Sequence, residues 1–176
     1  KDFGLTIKDV DLFSALPGTP ISDRLRDTLD EYVPLGSAIG TEKARSEFIV
    51  APLLGEVRRL MDRQISLFSG IEFNVDSERD LNGVCDFILS RSSEQSFLLA
   101  PVLMLVEAKN DNIKTGLVQC MGEMVAARLF NESEGTDLRT IYGAVTTGTN
   151  WKFLKLEAET IFIDVPEYHI SQVEEI

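Results

Sequence analysis

Gly83-Val84-Cys85-Asp86-Phe87-Ile88 and, with a glutamate twenty-one residues beyond that aspartate, Val106-Glu107-Ala108-Lys109 are strand sequences with charge where apolar side chains belong. An unpaired carboxylate in a buried strand is expensive, so Asp86 needs a partner or a cation. Glu107 and Lys109 close a nearly all-apolar run at i and i+2, and the two-residue period of a strand puts them on the same side. If the two strands pair, Asp86 can meet Glu107 across them. Clustered carboxylates repel until a divalent cation neutralises them, while a neighbouring lysine can orient or deprotonate a water and offset developing charge. This is equipment for metal-assisted phosphodiester hydrolysis. A plain strand-end ion pair between Glu107 and Lys109 is the structural alternative.

Working outward, segments rich in β-branched and aromatic residues at about 65–76, 84–91 and 101–108 predict three consecutive strands, with a hairpin-type turn at Leu81-Asn82-Gly83. Before them, Thr41 is a plausible N-cap and Phe48, Ile49, Leu53, Leu54, Val57, Leu60 and Met61 recur at helical spacing, predicting a long helix from about 42 to 63 that Pro52 kinks or restarts. After them, Lys114 to Asn131 is helical, and 140–147, 151–157 and 160–164 read as further strands. At the N-terminal end, Ser22 caps a short helix through about Tyr32, before Pro34 and Gly36 stop it. The order of elements predicts an α/β fold with a central mixed β-sheet flanked by helices, in one domain over 1–176. Its parts are an N-terminal helical extension over 1–40, a core over 41–147, and C-terminal strands and tail over 148–176.

Composition narrows the chemistry. In 176 residues, 44% are hydrophobic and 26% charged, the profile of a globular chain. The longest apolar run, Phe97 to Val106, is interrupted by Pro101 and too short to span a bilayer, so no membrane segment is expected. Lys1-Asp2-Phe3-Gly4 lacks the apolar core of a secretory signal. Two cysteines, Cys85 and Cys120, cannot build a disulfide framework and point to a reducing, intracellular and cytoplasmic setting. A single histidine, His169, leaves little for nucleophilic triads or multi-histidine metal centres, which turns attention to carboxylates and lysine. The net charge of −12 argues against a broadly basic nucleic-acid binder, and residues 132–176 concentrate the acidity with nine carboxylates against three Lys and Arg.

The spacing of Asp86 and Glu107-Ala108-Lys109, between a long helix before and another after, resembles the PD-(D/E)XK nuclease superfamily, with the likeness covering about residues 41–147. Thr41-Glu42-x-x-Arg45, followed by Ile49 and Pro52-Leu53-Leu54, is similar to the opening helix of restriction-enzyme nuclease domains. Nearest are uncharacterised members with blocks like Gly83 to Ile88, Val106 to Lys109 and Gln119 to Met124. The resemblance implies a restriction-endonuclease-like core in which Asp86, Glu107 and the Ala108 carbonyl bind Mg²⁺ or Mn²⁺, and Lys109 assists the attacking water. It implies a helical glutamate at the metal site, Glu42 or Glu47, and places Gln119 beside it, where an amide can position a nucleotide or the water. Two positions depart from the pattern: Cys85 replaces the proline, and Glu123 stands where some members carry an aromatic four residues after the glutamine.

A divalent-metal nuclease acting on nucleic acid, DNA in the first instance, follows from that resemblance. Its acidic balance asks for a locally neutralised cleft, a homodimer or a basic partner. The alternative is a non-catalytic protein-interaction module that keeps the nuclease-like fold and docks a protein partner through its acidic surface.

Overall fold

The structure, a computed structural model, describes residues 3–176; Lys1 and Asp2, which open the N-terminal extension, lie outside the described residues. Its strands are β1 (Thr6–Val10), β2 (Ser66–Glu72), β3 (Val84–Ser90), β4 (Val102–Ala108), β5 (Thr140–Thr146), β6 (Asn150–Glu157), β7 (Thr160–Asp164) and β8 (Tyr168–His169). They form one eight-stranded sheet in the order β1-β7-β6-β5-β4-β3-β2, with β8 pairing β6. The sheet is mixed: β4 and β5 run parallel, as do β1 and β7, while every other pairing is antiparallel. The protein is thus an α/β structure with a mixed central sheet, as the order of elements predicts.

Helices cover both faces. On one lie α1 (Asp23–Ile39), α2 (Glu42–Arg45), a π-helical turn (Ser46–Val50) and α3 (Ala51–Leu60); on the other lies α4 (Ile113–Ser133). Alternation along the strands sorts their side chains between the two layers. Phe87, Val106, Ala144 and Trp151 join Leu25, Ile49 and Leu54 in one apolar cluster, whereas Ile88, Leu105, Val145 and Leu154 join Cys120, Met124 and Ala127 in the other.

The long helix expected over 42–63 is a composite. Pro52 cannot donate to the carbonyl four residues back, and just before it the backbone widens to a π turn, in which Ala51 N–H reaches Ser46 O. Nor does Pro34 end α1, which runs on to Ile39 and stops at Gly40 in the left-handed conformation (φ 72°). Gly36 lies inside it, where a β-carbon would rest in van der Waals contact with the Ile49 side chain at 3.4 Å. The turn expected at Leu81-Asn82-Gly83 is wider than a hairpin: a 3₁₀ turn over Ser77–Arg79 and an Asp76–Leu81 bridge intervene. The N-terminal extension is also more than helical, since its residues 6–10 form the edge strand β1.

Helix α4 is capped at its start and held against the sheet in two ways. Asn112 caps its first turn by accepting from Lys114 N at 2.9 Å. Fully buried Asn131 near its end reproduces a strand partner, accepting from Val102 N at 2.7 Å and donating to Val102 O at 2.9 Å. Between them, glycines permit close approach: a β-carbon at Gly116 would lie 2.6 Å from Val145 Cγ1, and one at Gly143 2.5 Å from Met124 Sδ. Side chains on this helix therefore face β4 and β5 at fixed heights.

Candidate active site

The paired register of β3 and β4 begins at Phe87↔Val106, so Asp86 and Glu107 sit just past the end of the ladder. On its other flank, the β2–β3 register runs from Ser69↔Phe87 to Ile71↔Cys85 and skips Asp86. Asp86 uses that freedom: its Oδ2 accepts the Ala108 backbone N–H at 2.8 Å, replacing a backbone acceptor with a carboxylate. Asp86 and the Glu107-Ala108-Lys109 run thereby meet at one end of the sheet, as the strand pairing requires.

Glu107 is 1% exposed. Its Oε1 accepts a short hydrogen bond from Lys109 Nζ, and its Oε2 is buried with no partner. Lys109 also donates to Gln119 Oε1 at 3.2 Å, and Gln119 Nε2 donates to Glu123 Oε1 at 3.2 Å. A relay of contacts thus runs from β4 through Lys109 and Gln119 to Glu123 on α4. Glu123 Oε2 is likewise buried without a partner.

These surroundings shift the protonation of the cluster. Burial pushes the Glu107 carboxyl up to about 8, against the pull of the Lys109 hydrogen bond and with the help of the Glu123 and Asp86 charges. Glu123 is raised to about 7, again chiefly by burial, with the Asp86 charge adding to it. The two glutamates titrate together and retain a carboxyl proton near neutrality. Burial draws Lys109 the other way, but its hydrogen bond to Glu107 and the charges of Glu107, Glu42 and Asp86 hold it above the ordinary lysine value. It is an ammonium. No family model, curated protein or solved structure matches this chain.

The two helical glutamates are treated differently by the fold. Glu42, in the first turn of α2, lies within electrostatic reach of Lys109, while Glu47 forms an exposed ion pair with Lys43 at 3.1 Å. Arg45 ties α2 to the same end of the sheet, donating to Asn110 O and, at 3.4 Å, to Thr147 O. Among the described residues, no group of three or more His, Cys, Asp or Glu side chains stands ready-made around a common point for a metal. The acidic side chains take protein partners where they can, and the two orphaned oxygens are what is left over.

Glu123 is the site residue that sequence reasoning set aside, as a departure from an expected aromatic. The signal was its four-residue spacing from Gln119, which puts both on one face of α4. Cys85 and Cys120 are free and buried, burial pushes both up and keeps them protonated, and the Cys85 thiol lies within hydrogen-bonding reach of Glu123. Of the basic residues near the core, Arg58 donates to Ile65 O, Arg59 is spent on Glu56, and Arg128 donates to Ala158 O. His169 caps the last 3₁₀ turn, its ring accepting from Ser171 N at 3.2 Å. Among the described residues no helix is long and apolar enough to cross a membrane. A cavity of about 740 Å³ lies on the opposite side of the sheet, among Phe13, Leu25, Leu53, Trp151 and Phe153, and has no contact with the acidic cluster.

Proposed function

We propose that this chain is a divalent-metal-dependent nuclease with a restriction-endonuclease-like core, hydrolysing phosphodiester bonds of nucleic acid, DNA first among the candidates. The observation that carries the reading is Glu107: a carboxylate 1% exposed, tied to Lys109 through one oxygen and left with the other unsatisfied, beside Asp86 where β3 and β4 part. Native proteins rarely bury a carboxylate oxygen without a donor, and the exceptions call for an ion or a functional role. The residues present fit a small hard cation such as Mg²⁺ or Mn²⁺, since Asp86 and Glu107 offer oxygen donors. When bound, it would supply charge neutralisation and Lewis acidity towards a phosphate.

The chain's own residues supply the rest. Lys109, held as an ammonium at the half-buried rim, can offset negative charge developing on a phosphate and orient a water, which is a different role from taking its proton. Gln119 is exposed while its amide is fixed by Lys109 and Glu123, so it can meet a nucleotide without reorganising. Arg45 braces α2 against the end of β4, which keeps Glu42 close to Lys109.

The test is a Mn²⁺ titration by calorimetry on wild type and Asp86→Ala, with cleavage of mixed DNA and RNA substrates measured on the same samples. Wild type should bind and cut, and the variant should do neither while melting as a folded protein. Cleavage undiminished in Asp86→Ala overturns the assignment. A wild type that binds no cation moves the reading to the non-catalytic interaction module.

A further inference from the structure

Two carboxylates from different elements end in buried, partnerless oxygens: Glu107 Oε2 from β4 and Glu123 Oε2 from α4. Ser66 Oγ, Arg45 Nε and Arg128 Nε are also buried without a partner, but the buried amide of Asn131 and carboxylate of Asp164 are fully satisfied. Asn131 on the same helix gives both ends of its amide to Val102, and fully buried Asp164 has both oxygens filled, by Leu12 N at 2.7 Å and Tyr168 Oη at 2.9 Å. Leaving two acidic oxygens unfilled in one layer is therefore a local choice.

Their first oxygens are already committed in a matched way. Lys109 holds Glu107 Oε1 and Gln119 holds Glu123 Oε1, and Lys109 and Gln119 hold each other. Each glutamate thus keeps one oxygen anchored and the other free. The layer around them is apolar and thiol-lined, with Cys85, Cys120 and Met124 all buried, and beside Gln119 it offers Glu123 just the weak Cys85 thiol and the Glu107 carboxyl. The rim is open on one side, where Gln119 is exposed and Lys109 half-buried, which gives a hydrated ion a way in. The unfilled donors are carboxylate oxygens and the neighbouring thiols are kept protonated by burial, a set that selects a hard divalent cation over a thiophilic one.

We propose that Glu123 is a third carboxylate ligand of the divalent cation held by Asp86 and Glu107, so that β3, β4 and α4 each contribute one oxygen donor to it. This rests on the metal-site reading above and adds a residue to it. Gln119 is then a positioning residue, holding Glu123 through the amide that also meets Lys109. Binding draws the free oxygens of Glu107 and Glu123 towards Asp86 and fixes α4 more firmly on the sheet.

The experiment is calorimetric titration of MnCl₂ into the full chain as wild type, Asp86→Ala, Glu123→Gln and Glu123→Asp, with the Mn²⁺ electron paramagnetic resonance spectrum and the Mn²⁺-induced rise in melting temperature read on the same samples. Glu123→Gln keeps the volume and the Gln119 contact, so the fold should survive it. Its Kd should rise about tenfold or more, with altered resonance line widths and a smaller thermal shift, and Glu123→Asp should fall between it and wild type. If Asp86→Ala loses Mn²⁺ while Glu123→Gln matches wild type in Kd, spectrum and thermal shift, the third ligand is wrong and the metal site stands. If wild type and Asp86→Ala do not differ, the metal site is wrong and Glu123 falls with it.

Discussion

Glu56 and Glu107 are both nearly buried carboxylates, at 7% and 1% exposure, and the fold treats them in opposite ways. Glu56, on α3, accepts Ser22 N at 2.8 Å and takes Arg59 through both oxygens, at 2.8 and 2.6 Å. Its carboxyl is held down to about 2, first by the Arg59 hydrogen bonds and against the effect of burial. Glu107 has one lysine, one empty oxygen and two acidic neighbours, and is pushed up to about 8. A carboxylate that serves the fold comes with its donors. One that serves a ligand is left short of them, and the chain bears that deficit until the ligand arrives.

The sharpest way to break this contrast is to neutralise each in turn and melt the proteins at pH 8 without divalent cations. Glu56→Gln strips Arg59 of its ion pair and should cost about 1–3 kcal/mol, a fall of roughly 3–10 °C in Tm for a chain of this size. Glu107→Gln removes a crowded charge and should leave Tm level or higher, while abolishing Mn²⁺ binding. Equal losses in the two variants would make Glu107 a structural residue like Glu56.

The pH response should separate them next. Because the folded pKa of Glu107 lies above its unfolded value, the folded state binds more protons between about pH 4.5 and 8, so its contribution to stability is present at low pH and is lost as pH rises through that window. Glu56 has the reverse sign: its folded value is depressed, so its contribution is present above about pH 4.5 and is lost as pH falls towards 2. Melting curves of the cation-free protein should show a decline in stability from pH 5 to 8 that Glu107→Gln reduces, leaving the share of Glu123, and that Glu56→Gln leaves in place. Saturating Mn²⁺ should remove the decline in wild type. A flat wild-type profile would count against the crowded-carboxylate picture.

A smaller effect is expected from the seat of α4. The β-carbon of Gly116→Ala would meet Val145 Cγ1 at 2.6 Å and Lys109 Cγ at 3.0 Å, so the helix must lift or the Lys109 stem must shift. A cost of about 1–2 kcal/mol in unfolding, together with weaker Mn²⁺ binding, is the expected result. Unchanged binding would show that the height of α4 does not matter to the cluster.

How much of this the sequence disclosed depends on burial. Strands β3 and β4 were legible because their apolar runs are buried, and Asp86, Glu107 and Lys109 stood out as exceptions within them. Strand β1 was not, because all five of its residues are exposed and Lys8-Asp9 breaks the apolar pattern at the sheet edge. Glu42 and Glu47 were inseparable as letters. Glu42 lies in the first turn of α2, near Lys109, whereas Glu47, the second residue of the π turn that starts at Ser46, pairs with Lys43 four residues back. That turn reflects Pro52, whose effect a sequence locates without revealing which way the chain relieves it. Glu123 was read as a mismatch since only the packing of α4 discloses what its carboxylate faces.

The parallel register of β1 against β7, Thr6 opposite Thr160 through Val10 opposite Asp164, bears on how the chain assembles in time. No hairpin can make that pairing, and closing so long a loop has an entropy cost that neighbouring strands do not face. The antiparallel run from β5 through β7 is joined by short connections, and the edge of β7 is the rail that receives β1 from the far end of the chain. Just beyond the strand, the Leu12 N–H reaches Asp164 Oδ1, a latch that holds β1 against β7 where the ladder ends.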